Sequence, residues 1–127
     1  MTNRAIISTP NAPEAIGPYS QAVKVGNTVW LSGQIPLVPG TMELVAGDIQ
    51  DQARQVFSNL AAVAEAAGGS LSSAVKINIS LTDMADFAAV NEVMAEFLQP
   101  PFPARACVQV AGLPKGVAIE VEAILAV

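Results

Sequence analysis

Between Asp48 and the Gly68-Gly69 pair, apolar residues recur at helical spacing: Ile49, Ala53, Val56, Leu60, Val63 and Ala67. Steps of three and four place them on one face of a helix, and that face must lie against something apolar. Asp48 is placed to cap this helix, Asp51 suits its positive dipole end, and the glycines stop it. On either side the period changes to two. Ala5-Ile6-Ile7 is a short strand, and a proline-rich loop from Pro10 to Pro18 follows it. Gln21–Val25 and Thr28–Ser32 flank Gly26-Asn27, a two-residue hairpin signal that sets Val25 against Thr28, Val23 against Trp30 and Gln21 against Ser32. Beyond the helix, Val75, Ile77, Ile79 and Leu81 alternate with polar residues as a half-buried strand.

Asp83 then caps a second helix with the stripe Met84, Phe87, Asn91, Met94 and Leu98, ended by Pro100-Pro101. Two strands, Ala104–Val110 and Val117–Leu125, finish the chain across the turn Ala111 to Gly116. The order β, β-hairpin, α, β, α, β, β in 127 residues gives one domain, residues 1–127, of the α+β class. Both helices pack on one face of a mixed β-sheet. The other face also needs a cover. With 52% hydrophobic residues, 13% charged residues and a mean hydropathy of +0.47, the economical cover is a second copy of the chain.

The rest of the composition narrows the chemistry. Six basic against eleven acidic residues give a net charge of −5, with no basic block to neutralise phosphates, so nucleic acid is not an expected partner. No apolar run is long enough to span a bilayer, so no membrane partner is expected either. Met1-Thr2-Asn3-Arg4 lacks the apolar core of a signal peptide, which predicts a cytoplasmic protein. Cys107 is the only cysteine and fits a reducing compartment. Without histidine, neither a typical zinc site nor a Ser-His-Asp triad can form, and no metal is expected.

Arg105 stands out because it interrupts an otherwise apolar strand. Its guanidinium cannot shed its proton, so it needs an anionic partner, either a neighbouring carboxylate or that of a bound ligand. Alternation puts Arg105, Cys107 and Gln109 on one face, and Glu120 and Glu122 together in the last strand. An antiparallel hairpin pairing Val110 with Val117 sets Cys107 opposite Glu120 and Arg105 opposite Glu122, with Glu120 on the diagonal. Taken singly, these residues read blandly. Arg beside Glu is an ordinary ion pair, and Cys107 a small buried hydrophobe. Tyr19, Ser32, Gly33 and Asn91 pass as loop, strand-end and core positions.

Their combination resembles the RidA/YjgF family of reactive enamine/imine deaminases along almost the whole chain. Gly17-Pro18-Tyr19-Ser20-Gln21-Ala22 and Ser32-Gly33-Gln34-Ile35 are similar to its first two motifs. Asn59-Leu60 through Gly68 and Asp83 through Asn91 are similar to its helices. Pro103-Ala104-Arg105 with Cys107, then Leu113-Pro114 and Ile119-Glu120-Val121-Glu122, complete the set. The resemblance implies a chorismate-mutase-like fold, a homotrimer with its sheets facing inward, and ligand clefts between subunits. It implies a 2-iminobutanoate/2-iminopropanoate deaminase that hydrolyses 2-aminoacrylate-type enamines and imines to 2-oxo acids and ammonia without a cofactor. Arg105 would clamp the substrate carboxylate and Glu120 would position the water. Tyr19, Ser32, Gly33, Asn91 and Cys107 would line the cleft.

That chemistry suits the residue inventory, since one carboxylate can direct a water and move its proton. With no base to activate it, Cys107 reads as packing rather than as a nucleophile. Departures from the family's pattern include Met94, Ala106, Gln109, the segment Asn78-Ile79-Ser80 and a short connection from Leu98 to Phe102 that bears on the cleft's rim. A non-catalytic trimer that binds small carboxylates or regulates is the alternative, needing Arg105 but not Glu120. An endoribonuclease or translation inhibitor is a third, opposed by the negative charge.

Overall fold

A computed structural model describes residues 4–127, so the reading of Met1 to Asn3 as free of a signal peptide lies outside the described residues. Six strands and two helices follow in order: β1 (Arg4–Ile7), β2 (Ala22–Val25), β3 (Thr28–Gln34), α1 (Ile49–Ala66), β4 (Ala74–Leu81), α2 (Phe87–Phe97), β5 (Ala104–Gln109) and β6 (Ile119–Ala126). The strands form one mixed sheet in the spatial order β1-β2-β3-β6-β4-β5. Only the β4–β5 pair is parallel. The architecture is α+β, as the element order predicts.

The hairpin register is the one that Gly26-Asn27 dictates, with Val25 opposite Thr28 and Val23 opposite Trp30. Helix α1 starts where Asp48 places it. The Asp48 carboxylate accepts from the Asp51 N–H, the Asp51 carboxylate accepts from the Asp48 N–H, and Ala53, Val56, Leu60 and Val63 are buried beneath. Those contacts hold the Asp48 carboxyl below its usual range, the Asp51 backbone bond foremost. The α1 face, the inner residues of β4 and those of β6 (Ile119, Val121, Ala123, Leu125) make one continuous core.

Two expectations are corrected. The first concerns the last two strands, which are not a hairpin. After β4 the chain crosses over through α2, and a helical crossover returns it parallel to the strand it left, so β5 pairs with β4. Strand β6, whose inner residues are all buried, takes the central slot between β3 and β4, antiparallel to both. Arg105 therefore lies beside Ile77, not Glu122, and Cys107 beside Ile79, not Glu120.

The second concerns the stripe of the second helix. Asp83 caps a separate short turn at Met84–Asp86, accepting from the Ala85 N–H, and α2 begins only at Phe87. That break resets the helical phase. Val90, Val93 and Met94 are the buried residues of α2, Phe97 stacks on Phe57 of α1 with ring centroids 5.6 Å apart, and Met84 is exposed. Phe87, Asn91 and Met94 form the flank of the helix that looks toward β5.

Successive pairings give each residue row a side of the sheet. Ile7, Ala22, Leu31, Ala123, Ile77 and Arg105 form one row beneath the helices. The neighbouring row, Ile6, Val23, Trp30, Ile124, Lys76 and Ala104, points the other way. Among the described residues no helix covers that outer face: Ile6 is 58% exposed, Trp30 47% and Val108 51%.

Candidate active site

Arg105 closes the buried row at the sheet's edge, and α2 supplies its surroundings. Its Nη1 donates to Asn91 Oδ1 and lies 3.8 Å from the Met94 sulfur, while its guanidinium carbon sits 5.1 Å from the centre of the Phe87 ring. The cation is thus fixed by an amide, a thioether and an aromatic face, a set that orients it without neutralising it. Among the described residues no carboxylate pairs with Arg105; the ion pairs are Arg54–Asp51 and Arg54–Glu96. Because β5 is an edge strand rather than a buried one, the guanidinium is exposed to an open cleft of about 470 Å³ walled by Asn91, Met94, Ala95, Phe102 and Pro103. A guanidinium with unused N–H donors beside apolar walls suits a small organic carboxylate.

Cys107 shares Arg105's side of β5 and is half-buried. Burial pushes its thiol up, and the nearby Arg105 charge only partly opposes that. The thiol stays protonated near neutral pH and is a poor nucleophile.

A second cleft of about 440 Å³ opens on another part of the chain, with Tyr19, Ser32, Gly33, Glu120 and Glu122 in its lining. The loop before β2 brings Tyr19 there, and Gln21 fastens that loop. Buried Gln21 accepts from the Thr9 N–H at 2.7 Å and donates to the carbonyls of Thr9 (3.0 Å) and Pro13 (2.8 Å). The Tyr19 hydroxyl accepts from the Ile16 N–H at 3.3 Å, and the Ser32 hydroxyl donates to the Ser20 carbonyl. Beyond β3, Asn59 reaches out of α1 and donates to the Leu37 carbonyl at 2.9 Å, fixing another wall.

Strand β3 bulges here. Leu31 pairs with Ala123 and Gln34 with Val121, so Ser32 and Gly33 together face the single residue Glu122. The Glu120 side chain leans across Gly33, where any Cβ would lie 2.9 Å from its carboxyl carbon. Partial burial, and then the negative charge of Glu122, push the Glu120 carboxyl above the usual carboxylate range. A carboxyl so placed can hold a water and exchange a proton with it.

The seven residues singled out in the sequence therefore fall into two groups. Tyr19, Ser32, Gly33 and Glu120 share one cleft; Arg105 and Asn91 build the other, with Cys107 beside them. Arg105 and Glu120 do not converge within one chain: they sit on opposite sides of the sheet, with β4 between their strands. Sequence reasoning missed Gln21 and Asn59 as fasteners and Phe87 as the ring beneath Arg105. A buried-type position occupied by a primary amide was the available signal for the first two.

A family model described as Endoribonuclease L-PSP matches residues 9–127. A 2-iminobutanoate/2-iminopropanoate deaminase from Dermatophagoides farinae is 54% identical over 127 residues, covering 100% of this chain and 99% of that one. Among solved structures, RidA from the Antarctic bacterium Psychrobacter sp. PAMC 21119 superposes with a TM-score of 0.94 at 58% identity, over 97% of this chain and 99% of that one. TdcF of E. coli, solved with bound serine, has a TM-score of 0.92 at 48% identity, over 97% and 98% of the two chains.

Proposed function

The chain belongs to the Endoribonuclease L-PSP family, which is the YjgF/RidA family, and from that premise we propose that it is a cofactor-free 2-iminobutanoate/2-iminopropanoate deaminase. The deaminase relatives support the reaction class. The observation that supports the site assignment is Arg105, a fixed cation that no carboxylate among the described residues neutralises.

In this reading the carboxylate of a 2-imino acid docks on Arg105, with Asn91 holding the guanidinium in place. A water on Glu120 attacks the imine carbon. One proton of that water passes through the Glu120 carboxyl to the nitrogen, giving a tetrahedral amino alcohol; its hydroxyl proton follows by the same route as the C–N bond breaks, so ammonia leaves and a 2-oxo acid remains. Ser32, the Gly33 backbone and Tyr19 shape the water's side of the cleft. Cys107 packs beside Arg105 without bonding to substrate.

One copy cannot supply both halves to one ligand, so the active form holds more than one copy, and we take it to be the homotrimer that the family resemblance implies. Arg105 of one copy meets Glu120 of the next in each of its clefts. The uncovered apolar row through Ile6, Trp30 and Ile124 supports such an assembly, with the sheets facing inward. Among the described residues, no helix is long and apolar enough to cross a membrane. The lone thiol suits the cytoplasm, where we place the activity.

A dehydratase acting on serine releases 2-aminoacrylate, and semicarbazide traps its imine tautomer. Wild-type protein should outcompete the trap and speed 2-oxo acid formation; Arg105→Ala should not, at unchanged light-scattering mass. No acceleration by wild-type protein over buffer refutes the proposal.

The serine bound in E. coli TdcF favours a second reading, in which the site only binds small carboxylates. Calorimetry with 2-oxobutyrate separates the two. Unchanged binding by Glu120→Ala, with no turnover by either form, selects the binder. Cleavage of RNA, which the family description suggests, finds no basic groove on a chain of net charge −5.

A further inference from the structure

Glu122 has no part in the chemistry above, yet the fold surrounds it with that chemistry. It is the one residue of β6 facing the Ser32-Gly33 bulge. It projects from the same side of β6 as Glu120, two residues away, and both carboxylates line the same cleft. On its other flank Asn78 of β4 is its cross-strand partner, and the Asn78 amide donates to Glu122 Oε1 at 3.3 Å. Like charges on one strand face repel, and a sheet normally separates them or inserts a cation between them. Among the described residues of one chain neither happens, and in the proposed assembly the neighbouring copy's Arg105 is engaged by the substrate carboxylate. Opposite Glu120, β4 offers only Ser80; the Glu120 side chain leans over Gly33, and Ser32 and Tyr19 share the cleft lining with it. Lys76 lies on the same side of β4 but is paired with Ile124, and Lys115 follows Pro114 at the cleft's edge. Neither lysine forms an ion pair with these carboxylates.

We propose that Glu122, held by Asn78, is a positioning residue for Glu120: its fixed negative charge makes Glu120 ready to accept and hand on a proton. The inference rests on the deaminase reading for its purpose but not for its physics. A carboxylate that must move a proton from water to nitrogen near neutral pH works better as its proton affinity approaches that pH. Partial burial supplies some of that affinity, and a second carboxylate on the same strand face adds to it. Asn78 matters because an unrestrained glutamate would swing into solvent, where screening removes most of its influence. The polar segment Asn78-Ile79-Ser80, in a sheet whose outer face is otherwise largely apolar, has its use here.

Full-length protein carrying ¹³C at its glutamate carboxyls reports each titration directly, and the resonance lost in Glu120→Gln assigns that residue. Glu122→Gln is nearly isosteric and Glu122 is exposed in the single chain, so the variant should fold and assemble as the wild type, which its light-scattering mass checks. It should lower the Glu120 midpoint by about half a pH unit, the size expected for two carboxylates on one strand face beside solvent. Asn78→Ala should lower it in the same direction by less. The pH profile of kcat/KM for 2-iminopropanoate should move with the resonance in Glu122→Gln. A Glu120 midpoint that stays put in Glu122→Gln overturns the proposal, and one that stays put in Asn78→Ala alone removes Asn78 from it. If the wild-type protein shows no turnover, the deaminase reading falls while the resonance midpoints still decide the role of Glu122.

Discussion

Gly33 and Glu120 touch: the backbone of β3 leaves room for the Glu120 carboxyl only because position 33 has no side chain. A Cβ there would lie 2.9 Å from the carboxyl carbon and 3.0 Å from Cγ. The atoms it would strike are the end of a flexible side chain, so the chain can yield. Gly33→Ala should therefore fold and assemble normally yet lose roughly 10²-fold in kcat, the cost of displacing a catalytic group by about 1 Å. Steady-state kinetics with a light-scattering mass checks both halves.

The raised Glu120 titration has a consequence for stability. A carboxyl whose folded value lies above its unfolded one favours the folded state most below the unfolded value. That contribution is lost as pH rises through the folded value. At neutral pH the wild-type chain carries the cost of a charged, half-buried carboxylate beside Glu122. Glu120→Gln removes that cost. Its Tm should exceed the wild type's at pH 7, the gap closing as pH falls toward about 4, while kcat drops by at least about 10²-fold. Thermal denaturation across that range decides it.

Division of the site between copies can be tested by mixing. Arg105→Ala and Glu120→Ala should each be inactive alone. Unfolded together at equal amounts and refolded, they form mixed trimers in which each has one cleft built from the two intact residues. Random assembly should restore about a quarter of the wild-type activity. A mixture as inactive as its components would mean that each cleft draws both residues from one chain.

Trp30 is the largest side chain on the uncovered row, paired with Val23 on one side and Ile124 on the other. A carboxylate placed there would be buried without a partner on assembly. Trp30→Glu should sediment as a monomer with a native far-UV spectrum and no deaminase activity, since Arg105 and Glu120 then never meet.

Local pattern made much of this legible. Gly26-Asn27 set the β2–β3 register, Asp48 and the apolar stripe set α1, and alternation marked the inner face of β4 from Ile77 onward. Arrangement of the last strands was not legible from the residues between them. The turn Ala111 to Gly116 is as short as a hairpin loop, so it concealed the insertion of β6 between β3 and β4. The helix between β4 and β5 held the missing clue, because such a crossover makes its two strands parallel. Had β5 been placed by that rule, Glu120 could not have been its neighbour. The second helix failed differently. Both Phe87-Asn91-Met94 and Val90-Val93-Phe97 read as faces at helical spacing, and only packing on α1 chooses between them. Motifs nonetheless picked out residues that line both clefts, because local sequence patterns do not depend on which strands become neighbours.

In the proposed trimer, a sheet standing between Arg105 and Glu120 also decides how mutant alleles would combine. On that proposal, an allele that loses Arg105 alone would spoil one cleft per mutant chain, and that chain would still lend its Glu120 to a neighbour. Expressed equally with the normal allele, it leaves about half of the clefts working. An allele that loses both residues spoils every cleft it touches on either side, and about one in four survives. Two substitutions in one chain are then dominant where each alone is merely additive.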